Sequence, residues 1–313
     1  MTSAPSRQNL AFESDPRPSS KGKVTQTQLQ GKRVTLIAAF RCQVNGEPGV
    51  VICADSQETI GDYKVSVEKI VPRSVNHYEL LLGGSGTGNL VDSLANTIER
   101  QLRRWPAAIT EEHARQLLED KLVRYTSTVV RAYQAELSEK RLDFIVCLRE
   151  KRSGTLYLWK IADSIVEPIE RFHLIGWEAP IYRYEVNRLY SKELDQLSAV
   201  VLAVHLLSLA GATSNYVSEP FQVFTINHQG AWPEPPEKIA DLTRRITQVN
   251  NSLGKLLRDV PDFSVSDETF SNALELFLNE IFGLRNDTLR HIRESESPTM
   301  QAMMRTFRER NKK

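Results

Sequence analysis

Helices come in pairs along this chain, and β-rich segments come in runs between them. The first run opens with RVTLIAAFRCQV (33–44) and VVICAD (50–55), joined by the turn signal NGEPG. It continues with YKVSVEKIVP and HYELLLGG, read as two further strands. NLVDSLANTIERQLRRW then places Leu90, Leu94, Ile98 and Leu102 at helical spacing and is stopped by Pro106. A longer helix follows in ITEEHARQLLEDKLVRYTSTVVRAYQAEL, with acids in its first turn. Strands return at DFIVCLRE, GTLYLWKI and IERFHLIG, ahead of helices near 179–190 and 192–209 and a last strand, FQVFTI. A doubly wound parallel sheet would alternate strand with helix. Blocks of this kind predict an α/β protein with helices layered outside largely antiparallel sheets.

The flanks differ from this core. Residues 1–32 are rich in Ser, Pro, Gln and Lys and poor in large apolar side chains, so they are read as a disordered leader or tail. The core is assigned to 33–230 and a helical C-terminal extension to 231–313. In the extension, Ile239, Leu242, Ile246, Val249, Leu253 and Leu256 recur at alternating spacings of three and four. SVSDETFSNALELFLNEIFGLRNDTLRHI supplies a second amphipathic helix. An internal helical hairpin and a partner-binding seam both fit that pattern.

Charge and composition narrow the function classes. Lys plus Arg (40) and Asp plus Glu (39) nearly cancel, so no overall field points to nucleic acid or an anionic membrane. MTSAPSRQNLAFESDPRPSSKGK lacks the apolar stretch of a secretory signal, and LSAVVLAVHLLSLAGA, interrupted by His205, reads as a buried helix. A cytoplasmic protein without a membrane partner is expected. Cys42, Cys53 and Cys147 occur singly, which suits buried free thiols better than a disulfide framework or a zinc site. The six histidines form no metal-ligand motif, and neither metal nor cofactor is expected. GGSGTGN between a strand and a helix suggests a phosphate cradle, but it lacks the lysine of a P-loop and has Asn89 where a third glycine would stand.

Two charges in the first run stand out. An apolar strand ends on Asp55, and Lys69 falls among hydrophobic residues of the next. Such a pair is either a structural ion pair or the electrostatic frame of a nucleophile. A hairpin centred near Asn45–Gly46 brings Thr35 opposite Asp55 within a residue or so.

Thr35 at the head of TLIAAFR, Asp55 in ADSQETIG, Lys69 in VEKI and the LLLGGSGTGN segment together resemble the proteasome family of threonine-dependent N-terminal nucleophile hydrolases, in a divergent bacterial-type form. The resemblance covers roughly 35–226 and implies that family's four-layer αββα sandwich. It also implies that Thr35 is the nucleophile and that its own α-amine, freed by cleavage of the preceding bond, is the base. Lys69 would raise the local potential, Asp55 would hold Lys69, and the N–H of Gly83 or Gly84 would face the oxyanion. Ser218, in NYVS, matches a further supporting position.

Three residues depart from the family pattern: Val34 where self-processing members place Gly, Trp177 where active members carry Ser, and Asn215 in place of an acid. The resemblance therefore implies one of two things. The first is a threonine-type peptidase working on peptide substrates in a self-compartmentalised homo-oligomer, with an ATPase or adaptor as a further partner. The second is a non-catalytic subunit of that fold serving as a scaffold or adaptor.

Overall fold

The computed structural model describes residues 35–60, 63–85, 88–130, 143–162, 164–176, 179–262 and 264–295. The leader assigned to 1–32, together with Val34 and Trp177, lies outside these residues.

Ile37–Val44 (β1) and Glu47–Ala54 (β2) form the expected hairpin, with Asn45 at φ 53 and Gly46 at φ 83 making its turn. Ile37 pairs with Ala54, so Asp55 falls opposite Leu36, one residue past Thr35. Gln57–Ile60 (β3) and Tyr63–Ser66 (β4) form a small separate hairpin, of which β3 is not expected from the sequence. The segment read as one strand over 63–72 is thereby divided. β4 ends at Ser66, and the next strand, Ile70–Val75 (β5), starts one residue after Lys69.

Tyr78–Ser85 (β6) follows, then the helices Gly88–Leu102 (α1) and Glu111–Tyr125 (α2), the second running into a π turn over Thr126–Val130. Asp143–Glu150 (β7), Leu156–Ala162 (β8), Ile165–Pro168 (β9) and Phe172–Ile175 (β10) complete the middle of the chain. Two helices come next, Ala179–Leu189 (α3) and Gln196–Thr213 (α4), the latter shifted from the expected 192–209. Asp195 fixes that start by accepting from the Ser198 N–H as an N-cap. Gln222–Asn227 (β11) and Gly230–Pro233 (β12) precede the helices Pro236–Asp259 (α5) and Asp267–Ser295 (α6).

The strands make two five-stranded antiparallel sheets, ordered β10-β1-β2-β11-β12 and β5-β6-β7-β8-β9. Both faces of each sheet are covered, which explains why the strands read as continuous apolar runs instead of alternating with polar residues. Along β1, Ala38 and Phe40 point to the α3, α4 and α5 layer, while Ile37 and Ala39 point to the other sheet. Leu80 and Leu82 of β6 face α1 and α2, and Leu81 faces the first sheet. The result is a four-layer αββα sandwich with C-terminal helices. The inner core, between the sheets, is built by Ile37, Ile52, Ile70, Leu81, Ile145 and Leu158.

α4 is long and apolar enough to cross a membrane. Here, however, Val200, Ala203, Val204 and Leu207 pack into the core against β1 and β2. Ile239, Leu242 and Ile246 of α5 join that same core, so the first C-terminal helix is seated on the sandwich. α6 packs on α5, and Arg245 reaches across to Asp287 at 2.5 Å.

Candidate active site

The end of β2 carries the site. Because Asp55 falls opposite Leu36, its carboxylate faces the start of the neighbouring strand and accepts the Leu36 N–H at 2.9 Å. The other carboxylate oxygen accepts the Gln57 N–H at 3.0 Å and Lys69 Nζ at 2.7 Å. Both side chains of this ion pair have 0% exposure. One carboxylate thus ties together the head of β1, the chain after β2 and the approach to β5.

The electrostatics follow from burial and these contacts. Burial pushes the Asp55 carboxyl above its ordinary value; the Lys69 ammonium and the N–H groups of Leu36 and Gln57 pull it back down. The compensation is local and nearly complete in hydrogen-bonding terms, as a buried charge requires.

Lys69 is held by its backbone as well as its side chain. Gln222, at the head of β11, accepts the Lys69 N–H at 2.9 Å and the Ile70 N–H at 3.1 Å, and donates to the Val67 carbonyl at 2.9 Å. Its side-chain amide replaces a strand partner there, which is why the 63–72 run is not one strand. Sequence reasoning missed Gln222, since only the pairing of β11 with β2 brings it next to Lys69.

Thr35 is buried at 0% exposure, and its hydroxyl makes no hydrogen bond to a described group. Gly176 closes over its carbonyl. With φ 112, a Cβ on Gly176 would sit 1.7 Å from the Thr35 oxygen, so only glycine fits. That residue too was not singled out from the sequence, although a Gly directly after a buried strand was the available signal.

Thr35, Asp55 and Lys69 are therefore brought together. Gly83 lies inside β6, opposite Ile70 on one side and Ile145 on the other, and its α-carbon backs onto the side chain of Ile37. It borders the Lys69 strand through Ile70. Gly84 faces away, where a Cβ would strike Val91 and Phe144, so packing accounts for the second glycine of GGSGTGN. Ser218 is half-buried in the loop after α4. That loop reaches the site through the Asn215 carbonyl, which accepts from Gln57 Nε2 at 3.2 Å. Among the described residues no group of His, Cys, Asp and Glu could hold a metal ion.

Solved structures with this fold exist. The Anbu (ancestral β-subunit) protein from Yersinia bercovieri superposes with a TM-score of 0.56 at 14% identity, over 74% of this chain and 100% of its own. The Anbu of Hyphomicrobium sp. strain MC1 gives 0.57 at 14%, with the same coverage. This chain has the proteasome-like fold. A third proteasome-like match, the helical assembly of the Anbu complex from Pseudomonas aeruginosa, gives 0.58 at 15% identity, over 72% of this chain and 97% of that one. No protein-family model and no curated protein matches the sequence. Within the proteasome-like fold, the paired charges sit at the open end of the β1–β2 hairpin, against the Leu36 N–H.

Proposed function

We propose that the chain is a threonine-type amidohydrolase that cuts peptide or amide bonds inside a self-compartmentalised homo-oligomer, once Thr35 carries a free α-amine. The observation that carries this reading is the single buried carboxylate of Asp55, which holds Lys69 Nζ and the Leu36 N–H at once. The same carboxylate thus holds a cation and the backbone next to Thr35, whose hydroxyl makes no hydrogen bond to a described group. In the reaction, Thr35 Oγ1 forms a bond to the substrate carbonyl carbon, and its proton passes through the α-amine to the departing amine. Water then cleaves the ester and restores the hydroxyl. Lys69 favours loss of the hydroxyl proton, and Asp55 keeps Lys69 charged and in place. Three buried free cysteines support a reducing, cytoplasmic setting. The assembly named for the Pseudomonas aeruginosa Anbu complex supports the homo-oligomer. An ATPase or adaptor is a further partner in this reading.

A second reading, a scaffold subunit of the same fold, is favoured by the complete burial of Thr35 and by Asn215, which engages Gln57 through its backbone. The intact mass and N-terminal sequence of the assembled protein test the choice, together with hydrolysis of fluorogenic peptides by the parent and by Thr35→Ala. A mature chain beginning at Thr35, with activity lost in the variant, is expected. An assembled chain with the bond before Thr35 intact leaves the scaffold reading.

A further inference from the structure

The α5–α6 hairpin exposes apolar side chains that the sandwich does not use. Leu274, Leu278 and Ile281 of α6 are 40%, 44% and 38% exposed, and Phe282 beside them is 57% exposed. Their spacing of four and then three continues to Arg285, which gives the period of a heptad seam. The adjoining side of α6 is already occupied: Ala273 is buried there, Leu284 packs on the core and Asp287 holds Arg245 of α5. The stripe is therefore a second face of the helix, pointing outward.

Its charges are segregated along the axis. From 267 to 280, α6 carries Asp267, Glu268, Glu275 and Glu280 and no Lys or Arg. From 281 to its end at Ser295 it carries Arg285, Arg290 and Arg293 against Asp287 and Glu294, a net positive half. A helix with one acidic half and one basic half is complementary to itself when reversed, and reversal also opposes the two helix dipoles. With the crossing point between Asn279 and Glu280, Leu278 meets Ile281 of the other copy. Leu274 then meets the stem of Arg285, whose guanidinium comes beside Glu275. Glu275 and Arg285 are both exposed and pair with no other described side chain. A parallel arrangement would put acid on acid.

We infer that this face of α6 is a two-fold interface that takes the same face of a second copy of the chain, antiparallel. The contact is isologous and closes on itself, so it joins protomers in pairs and does not propagate. It holds whether or not Thr35 is catalytic, since it uses no residue of the site.

Cysteine cross-linking of the full-length protein tests the register. Oxidation of an equal mixture of Leu278→Cys and Ile281→Cys chains is expected to give a covalent dimer, because those positions face each other. A mixture of Leu274→Cys and Leu278→Cys chains is expected not to. Sedimentation of charge variants tests the orientation. Glu275→Arg and Arg285→Glu should each weaken pairing about tenfold, and the double variant should recover it, since each copy then offers the reversed pair. These positions are exposed, so unchanged thermal melts are expected to accompany the loss. Absence of the 278–281 cross-link, or a double variant as weak as the singles, overturns the inference. So does a cross-link that appears only after residues 296–313 are removed, because the chain's own end would then be the occupant of the face.

Discussion

Replacing Lys69 with methionine keeps most of the side-chain volume and removes the charge. Lys69 Nζ lies 2.7 Å from Asp55 Oδ2, and both side chains have 0% exposure. At an effective dielectric near 20 that separation corresponds to a gross attraction of about 6 kcal/mol. Methionine returns part of this, since Lys69 no longer has to be stripped of water. The Leu36 and Gln57 N–H groups continue to hold the carboxylate. The net cost is expected to be on the order of 3–5 kcal/mol, the usual penalty for stranding one partner of a buried pair.

Urea denaturation of parent and variant measures it directly, with an unchanged slope showing that the same surface is exposed. The pH dependence supplies a second readout. Without the ammonium, the Asp55 carboxyl in the folded variant rises further above its unfolded value, so the folded state binds a proton that the unfolded chain does not. The deficit is therefore greatest above the folded pKa and shrinks as pH falls toward the unfolded value, about 4. Combining Lys69→Met with Asp55→Asn should recover part of the loss, because no charge is then left buried. A single variant that unfolds within about 1 kcal/mol of the parent would show that the pair contributes nothing, and the electrostatic argument for the site would fall with it.

Gly176→Ala should cost about 3 kcal/mol or more in thermal or chemical unfolding, because its φ of 112 and the Thr35 carbonyl 1.7 Å from the new Cβ leave no room. Gln222→Ala strands two N–H groups and one carbonyl around Lys69, and a loss of about 2–4 kcal/mol by urea denaturation is expected. His173 is pushed down to about 4 by burial, aided by Lys160 and Arg183. The unfolded chain therefore takes up a proton that the folded one refuses, and stability should fall as pH drops from about 6.5 to 4, by about 1–2 kcal/mol given its partial exposure. His173→Gln should remove that increment from the pH profile.

The layers were legible because each strand buries both faces, which writes unbroken apolar runs into the sequence, and because the helices arrive in pairs. The β1–β2 turn at Asn45–Gly46 set the register that places Asp55 beside the head of β1. Lys69 was legible as an anomaly, a charge in an apolar context. Its true setting was not, because the break before β5 is imposed by Gln222, a residue 153 positions away. No local propensity reports such a contact. β3 went unseen for the opposite reason: a four-residue strand is too short to show a period. Gly176 is one glycine among several until the Thr35 carbonyl is placed against it.

The strand order has a further consequence for synthesis. β2 is complete at Ala54, yet one of its two neighbours is β11, whose pairing runs from Gln222 to Asn227. Until that strand leaves the ribosome, the first sheet keeps an open edge at the residues that lead into Asp55. Closing a loop of this length is entropically costly and comes late, after the local hairpins and helices have formed. The nascent chain thus carries Thr35, Asp55 and Lys69 through the synthesis of another 153 residues without the amide that clamps the lysine backbone. Fragments released before residue 222 possess every charge of the site but lack its clamp, so site geometry is delayed until Gln222 has been added.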